Sequence, residues 1–561
     1  PTVEAFHDYE KKLISYVLEQ FTPIGLMMDN TVVAPSYTAS SCASFRDYLR
    51  RKYADDDPVT LFGIPSFDHV DLPHFDPIYY PQDAFRIVKD PLLQEWSHWR
   101  SKVICDFLAD YREHVRAIAP QVQVHTVAGC GGLRYNQLFR EGIDFEERLA
   151  ASDHIHMEES GWRPGVVEQS QSDLDIIMDE RSPDAARVRD QAALRVSTDA
   201  RWWKIVQNYG LSGHHGFWGE FDQASKRVAA AHNMAFGQDA YSIGSIGPLA
   251  ANTAMAEDIR DIIDWGNAHM DLLTGRDDRI ASTAVWRGTA TLGFIRHRPV
   301  WEACSVEQML FENHIPFTIL FDGRLAECLP KMKVLILPGT ECISDTQAQL
   351  IDAWVKEGGR LLLLGTAATR DERTRLRSRH AFEELFGGQL PELERIGPPH
   401  WVPELNTGAL PDSLKAEYGK GMVALLKNIT PPHDLDLTRD PYMPERQVMT
   451  KDILPPANET EIMDMLISLL DDAILRADGP RWTLTEFWKR GHDLLICCAN
   501  LRKGHGGGPL TIHLGPHSTD TVEVYQWFEE PPQKVKVRDG RVIVDSLPYF
   551  AAVVARDVLK G

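Results

Sequence analysis

The hydrophobic pattern of residues 1 to about 275 alternates between short apolar runs and longer stretches with helical spacing. The short runs have the length of strands, and they are IGLMMD (24–29), VQVHTVAG (122–129), DHIHMEES (153–160), WKIVQNYG (203–210) and AYSIGSIG (240–247). Between them lie amphipathic stretches, such as the one over residues 92–119, whose apolar residues recur every three or four positions. This order predicts a parallel sheet that is covered by helices.

Five strand–helix units are the number expected for the back portion of a (β/α)8 TIM-type barrel, which we assign to residues 1–277. The chain opens with an amphipathic helix over about residues 3–20 and has neither an initial methionine nor a signal peptide. We therefore expect three further barrel units to precede Pro1. An open sheet is the alternative.

A second alternation begins near residue 278 and predicts a flavodoxin-like or class I amidotransferase-like α/β domain over 278–430. A proline-rich span with one helix follows as a connector over 431–479. Residues 480–561 alternate with period two and contain a DG turn, which predicts an antiparallel β-sandwich. The stretch from about 54 to 90, rich in Pro, Asp and Tyr, is expected to be irregular.

Composition and charge narrow the range of partners. The net charge is −22 without a basic stripe, which disfavours nucleic acid, and no apolar run approaches the roughly 18 residues that span a membrane. The eight cysteines are scattered without metal-finger spacing, and Cys497 and Cys498 are expected on opposite faces of a strand. Reduced thiols of this kind favour a cytoplasmic location.

A carboxylate ends the first apolar run. Alternation along this strand places Ile24, Leu26 and Met28 towards the helix layer, and Gly25, Met27 and Asp29 towards the barrel axis. Because the reacting groups of a parallel barrel stand at the carboxyl ends of its strands, Asp29 is a candidate catalytic residue. An aspartate after a strand also commonly caps the loop that follows.

A second carboxylate stands at a matching position two strands on. In DHIHMEES, Ile155 and Met157 share one parity, so that His154, His156 and Glu158 share the other. Two acids on strand ends with one strand between them are expected roughly 5–10 Å apart, as in glycosidases. Glu158 is therefore the candidate general acid, with Glu159 as its reserve, and a structural salt link is the alternative.

The loops after these strands contain groups suited to a neutral, hydroxyl-rich ligand. Aromatic rings can stack on sugar faces, and polar side chains can bond hydroxyls. The candidate substrate-binding residues are Asn30, His125, Arg134, Tyr135, Asn136, His156, Trp162, Gln207, Asn208, Trp218 and Glu220. Glu220 is also a third candidate acid, although a helix cap explains it more simply.

A metal site is a weaker interpretation of the histidines. His154, His156, His214 and His215 lack the spacing of a ligand set, so no metal or other cofactor is predicted. The middle domain likewise lacks chemistry of its own, because LLLLG (361–365) continues into TAATR without the cysteine of a nucleophile elbow.

The domain order resembles that of three-domain glycoside hydrolases of the family 42 β-galactosidase type and related hypothetical glycosyl hydrolase families. The stretch KVLILPGTECISDTQAQLIDAWVKEGGRLLLLG (333–365) is similar to their trimerisation domain, and IGLMMDNTVVAPSYTASSCASFRDYLRRKY (24–53) resembles their fourth-strand region. The resemblance covers most of the chain. It implies a carbohydrate substrate and a homo-oligomer, either a dimer or a trimer.

The catalytic residues of that family do not transfer to this chain. Its fourth strand ends in Asn-Glu, where this chain has Asp29-Asn30, and its nucleophilic Glu on the seventh strand corresponds to Gln207 or Asn208 here. Other barrel glycosidases place a nucleophilic Asp on the fourth strand and an acid/base on the sixth, a plan that Asp29 and Glu158 would suit.

The sequence therefore predicts a glycoside hydrolase, with retention of configuration favoured, that uses Asp29 and Glu158. One alternative is an inactive carbohydrate-binding or regulatory protein on the same scaffold, motivated by the altered family positions. A metal-dependent hydrolase using the histidines is a second alternative.

Overall fold

The protein is described by a computed structural model. The described residues are 4–23, 25–28, 37–73, 87–127, 138–139, 142–158, 204–209, 227, 231, 234–235, 240–243, 253–273, 275–295, 298–396, 404–405, 407–433, 454–470, 474–500, 507–517, 519–527 and 529–559. In the strands of residues 154–158, 204–209 and 240–243 the backbone alone is described.

The N-terminal sheet has five parallel strands in the order in which they occur along the chain. They are β1 (Gly25–Met28), β2 (Gln123–Val127), β3 (His154–Glu158), β4 (Lys204–Tyr209) and β5 (Ala240–Ile243). The helices of this region are α1 (Glu4–Gln20), α2 (Ala39–Lys52), α3 (Pro58–Phe62), α4 (Pro91–Ile118), α5 (Phe145–Ala151), α6 (Thr253–Ala268) and α7 (Met270–Leu273). The predicted parallel sheet and its outer helices are confirmed.

The prediction that residues from about 54 to 90 are irregular was wrong in part. The segment contains the helix α3 and a 3-10 turn, Phe67–His69. The α3 helix begins after Asp57, whose side chain accepts hydrogen bonds from the amides of Val59 and Thr60, with Pro58 in the first helical turn. The Asp57-Pro58 pair thus marks the start of a helix in a segment whose high proline content suggested irregular structure.

The middle region contains a six-stranded sheet. Its strands are β7 (Thr283–Trp286), β8 (Phe317–Leu320), β9 (Val334–Pro338), β10 (Arg360–Leu364), β13 (Ser413–Tyr418) and β14 (Gly421–Leu426), and β11 (Arg395–Ile396) and β12 (Glu404–Leu405) form a separate pair. The order of the strands in the sheet is β13-β14-β10-β9-β7-β8, and all of them are parallel except β13, which pairs antiparallel with β14. Its helices are α8 (Thr289–Phe294), α9 (Arg298–Glu312), α10 (Leu325–Cys328) and α11 (Asp345–Lys356), with α12 (Glu459–Ile467) following. This order is typical of doubly wound α/β folds.

The C-terminal region consists of two antiparallel sheets that share a hydrophobic cluster. Its strands are β15 (Arg476–Asp478), β16 (Thr483–Arg490), β17 (Asp493–Asn500), β18 (Leu510–His513), β19 (Thr521–Gln526), β20 (Gln533–Lys536), β21 (Arg541–Val544) and β22 (Phe550–Ala555). Cys497 and Cys498 are buried in different clusters on opposite faces of β17, as predicted. The seven cysteines among the described residues form no disulfide.

The DG turn joins two sheets and does not close a simple hairpin. Asp539 and Gly540 both have positive φ, at 50° and 70°, and the backbones of Arg538 and Arg541 exchange hydrogen bonds around them. However, β20 pairs with β19, and β21 pairs with β18 in the other sheet. The turn therefore redirects the chain from one sheet to the other.

The three regions are joined by shared strands and a shared core. The short strand β6 (Asp278–Arg279), which follows the N-terminal region, pairs antiparallel with β16 of the C-terminal region. One hydrophobic cluster contains Trp265 of α6, Trp301 of α9 and Trp527. In the parts of the chain that the structure describes, no helix is long and apolar enough to cross a membrane.

Candidate active site at the carboxyl ends of the N-terminal strands

The register of the N-terminal sheet aligns the ends of its strands. Met28 of β1 pairs with Thr126 of β2, which pairs with Ile155 of β3, which in turn pairs with Ile205 of β4. Because all five strands are parallel, their carboxyl ends lie along the same edge of the sheet. That edge is the expected place for reacting groups in folds of this kind.

One face of the sheet packs against the helices. Leu26 contacts the buried cluster of Val115, Val122 and Val124, and Met28 packs on a cluster formed largely by α4. The predicted orientation of Leu26 and Met28 towards the helix layer is therefore confirmed. Ile24, which was assigned to the same face, lies outside the described residues.

The opposite face carries Gly25, Met27 and His125. A Cβ atom at Gly25 would lie 2.9 Å from Nε2 of His125, so the imidazole occupies the space above this glycine. Met27, which pairs with His125, is 56% exposed. This is the face that the alternation assigns to Asp29, one position beyond the end of β1.

His125 is the one candidate substrate-binding residue whose side chain is described. It is partly buried, and burial lowers the pKa of its imidazole below the ordinary value of 6.5. The ring is therefore neutral near pH 7, so that one ring nitrogen can donate a hydrogen bond and the other can accept one.

The backbones of four other candidates are described. Glu158 is the last residue of β3 and pairs with Asn208, and His156 pairs with Val127 of β2 and Val206 of β4. In the register of the sheet, His156 and Glu158 belong to the same set of alternate positions as His125. Gln207 belongs to the other set, which includes Met28, so Asn208 is the better placed of the two β4 candidates for substrate binding.

The remaining candidate residues lie outside the described residues. They are Asp29, Asn30, Arg134, Tyr135, Asn136, Glu159, Trp162, His214, His215, Trp218 and Glu220.

The hydrophobic pattern did not predict the polar groups at the start of α5, the helix that follows β2. Asp144 caps this helix by accepting a hydrogen bond from the amide of Glu147 at 3.2 Å. Burial, together with the nearby carboxylates of Glu147 and Glu146, raises the pKa of Asp144 to about 7. The D-x-x-E spacing of residues 144–147 is a helix-start signal that could have predicted this cap.

The chain is similar in fold to solved structures of glycoside hydrolases. No protein-family model matches the chain, and no match was found among curated proteins. Solved structures do match over nearly the whole chain. A catalytic mutant of a family 42 β-galactosidase from G. stearothermophilus has a TM-score of 0.63 and 14% identity, with 99% of this chain and 82% of that chain covered.

Two further solved structures extend the likeness. The cold-adapted β-galactosidase from Rahnella sp. R3 has a TM-score of 0.65 at 11% identity, with 99% of this chain and 82% of that chain covered. The α-L-fucosidase isoenzyme 2 from Paenibacillus thiaminolyticus has a TM-score of 0.60 at 13% identity, with coverages of 98% and 80%. The chain thus has the α/β multidomain fold of glycoside hydrolases of the family 42 type. At these identities the likeness shows the fold alone.

Proposed function

We propose that the protein is a glycoside hydrolase that cleaves an oligosaccharide or a glycoside with Asp29 and Glu158. The observation that carries the proposal is the strand register. Glu158 ends β3, Asp29 follows β1 directly in the sequence, and β2 lies between these strands in a parallel sheet. This register supports the assignment of the two acids to one edge of the sheet, and the fold is shared with known glycosidases.

The proposed reaction proceeds in two displacements with retention of configuration. The Asp29 carboxylate attacks the anomeric carbon, the glycosidic C–O bond breaks, and protonated Glu158 gives its proton to the departing oxygen. Ionised Glu158 then removes a proton from water, which attacks the same carbon and releases Asp29. Glu159 is the reserve for Glu158. The scheme needs the pKa of Glu158 to lie well above that of Asp29.

Substrate recognition is assigned to the polar and aromatic candidates of the same edge. Neutral His125 can bond a sugar hydroxyl in either direction, which suits an uncharged ligand. Because the solved neighbours include β-galactosidases and an α-L-fucosidase, galactosides and fucosides are the first substrates to examine.

The finer architecture and assembly are part of this proposal. We interpret the five-stranded sheet as part of a (β/α)8 barrel, the middle region as a trimerisation-type domain and the C-terminal sheets as a β-sandwich. The TM-scores of 0.63 and 0.65 with β-galactosidases support this interpretation. That the protein forms a dimer or trimer in the cytoplasm stays a prediction.

The decisive experiment compares Asp29→Asn and Glu158→Gln with the wild type on a panel of aryl glycosides. Each variant is expected to lose roughly a hundred- to ten-thousand-fold in kcat, because an acid/base or nucleophilic group is removed. Glu113→Gln, which changes an exposed carboxylate on α4, is the matched control and should retain full activity.

Two results would contradict the proposal. Turnover of both variants at the wild-type rate would remove Asp29 and Glu158 from the mechanism. Saturable sugar binding by the wild type without product on any substrate would instead favour the inactive carbohydrate-binding protein.

A further inference from the structure

The middle region packs against the edge of the N-terminal sheet that carries the candidate acids. The helices α4 and α5 start at that edge, because each follows a parallel strand and returns towards the beginning of the next one. Both starting points touch the middle region. The amide of Val88 donates to the carbonyl of Phe294 at 2.8 Å, and the amide of Gly323 donates to Glu146 at 2.8 Å.

The segment of residues 37–73, which we name the β1 insertion, belongs to the same edge. It follows β1 in the chain and contains α2, α3 and the 3-10 turn. Its apolar side chains, among them Phe45, Leu49 and Phe67, form a buried cluster with Trp96 and Trp99 in the first half of α4. The β1 insertion is therefore a small layer packed over the start of α4.

Arg373 of the middle region contacts the β1 insertion directly. Its Nη2 donates a hydrogen bond of 3.0 Å to the hydroxyl of Tyr53. The centre of its guanidinium lies 5.6 Å from the centroid of the Tyr53 ring and 5.2 Å from that of Phe62. Both distances are within the range of cation–π attraction.

The buried carboxylate of Glu95 connects this contact to α4. The Tyr53 hydroxyl donates a short hydrogen bond to Glu95, and Glu95 also accepts from Tyr48 at 2.9 Å and from Lys52 at 2.7 Å. Burial raises the pKa of the Glu95 carboxyl. The nearby Lys52 ammonium and the hydrogen bond from Tyr53 lower this pKa by more than burial raises it, so that the resulting pKa is below the ordinary value. Glu95 is thus a buried anion that fixes the side chains around it.

The backbone that carries Arg373 is itself held in place. The next residue, Thr374, is buried and has a φ of 65°, a strained value for a β-branched residue. Gln94 of α4 donates from Nε2 to the carbonyl of Val88 at 2.7 Å and to the carbonyl of Arg373 at 3.3 Å. Arg373 is therefore preset on a rigid turn, and little entropy is lost when it contacts the β1 insertion.

We propose that Arg373 is a positioning residue, which holds the β1 insertion against α4 and so fixes the wall of the substrate cleft that follows Asp29. The inference rests on the proposed glycosidase function and assigns to the middle region a part in substrate binding. Productive substrate binding is sensitive to such placement, because a displacement of about 1 Å in a positioned group can cost up to about a hundredfold in kcat/KM.

The test compares Arg373→Ala and Arg373→Lys with Arg375→Ala as the matched control. Arg375 lies in the same turn but is 61% exposed, and its only described ion pair, with Asp371, is 3.9 Å long. Arg373→Ala is expected to raise KM for the best oligosaccharide about tenfold and to change kcat by less than about threefold. Arg373→Lys should recover part of this loss, because lysine keeps the charge over the rings but lacks the planar fork.

Hydrogen exchange gives a second measurement that does not depend on catalysis. Amides of α2 and α3 are expected to exchange about tenfold faster in Arg373→Ala than in the wild type or in Arg375→Ala, while those of β16 and β17 stay unchanged.

The outcomes separate this inference from the proposed function. An active wild type whose KM is unaffected by Arg373→Ala would overturn the positioning role, even if exchange were faster. A wild type that hydrolyses nothing would overturn the proposed function, and exchange would then decide whether Arg373 holds the β1 insertion. Unchanged exchange in α2 and α3 would overturn the inference in either case.

Discussion

The protein contains two parallel sheets whose carboxyl edges differ in how their polar groups are used. At the edge of the middle sheet, the carboxylates are bound by neighbours within the same region. Arg298 donates to Glu302 at 2.9 Å, and Glu341 accepts from Arg370 at 2.7 Å and from Thr366 at 2.9 Å. At the N-terminal sheet, Glu158 ends β3 and Asp29 directly follows β1 in the sequence, and we propose that both acids serve catalysis.

The middle edge is also closed sterically. Gly339, which follows β9 with a φ of 59°, lies directly against the carboxylate of Glu302, and a Cβ atom there would collide with Oε2. Nearby Cys342 is buried, and burial raises the pKa of its thiol well above the ordinary value, which disfavours the thiolate that nucleophilic attack requires. Similar topology therefore does not imply similar chemistry, which depends on the residues at the strand ends.

This comparison predicts that changes at the middle edge alter stability, whereas changes at Asp29 and Glu158 alter turnover. The variants below should therefore change the free energy of unfolding and leave kcat of the folded protein within about twofold of the wild type.

The largest effect is expected for Glu307→Gln. Arg287, which follows β7, donates to both oxygens of Glu307 at 2.7 and 2.6 Å, and both side chains are fully buried. Loss of the negative charge removes the carboxylate that compensates a buried guanidinium and should lower the free energy of unfolding by about 3–5 kcal/mol, as measured by urea titration. The double variant Arg287→Met with Glu307→Leu should recover most of this loss, and a double variant as unstable as Glu307→Gln would contradict the assignment.

Gly339→Ala should cost about 2–4 kcal/mol of unfolding free energy, because the added methyl combines a left-handed backbone with a collision against Glu302. Gly387→Ala is the control. Gly387 has a similar φ of 61° but nothing within 4 Å of the added atom, so only the backbone cost of about 1 kcal/mol should remain. Equal losses in the two variants would show that Glu302 does not fill this space.

A smaller effect is expected from pH. Burial raises the pKa of Glu302 from 4.5 to about 7. Because the folded state holds this proton more tightly than the unfolded chain does, the stabilisation is complete below about pH 4.5 and is lost as the pH rises to about 7. The decrease between pH 5 and 8 should be about 2–3 kcal/mol, and Glu302→Gln should remove it. Parallel stability curves for the wild type and Glu302→Gln between pH 5 and 8 would refute this account.

Local patterns predicted the elements well, because the strands are buried and the helices are amphipathic. Period-two alternation placed Leu26 and Met28 on the helix side of β1, and it put Glu158 at the end of β3. The same alternation could not show that β6 joins the C-terminal sheet, since a two-residue strand has no measurable period.

The contacts to which we assign a positioning role could not be predicted for a different reason. Arg373 and Tyr53 are 320 residues apart, and neither lies in a motif that announces the other. Their pairing depends on how the middle region docks, which is a property of the tertiary structure. The strand ends of the site could be located from sequence, whereas the wall around them could not.

The junction between the N-terminal and C-terminal regions limits how the chain can be divided. Two guanidinium groups lie close to Trp488 of β16, with the centre of Arg276 5.2 Å and that of Arg279 4.6 Å from the centroid of its ring, and Arg279 also pairs with buried Glu486. A protein cut after residue 280 would separate the tryptophan from both neighbours and remove an edge strand from the C-terminal sheet. Engineers who wish to graft or exchange parts of this molecule should therefore treat residues 275–280 as belonging to both neighbours, so that a transplanted N-terminal region carries its C-terminal partner with it.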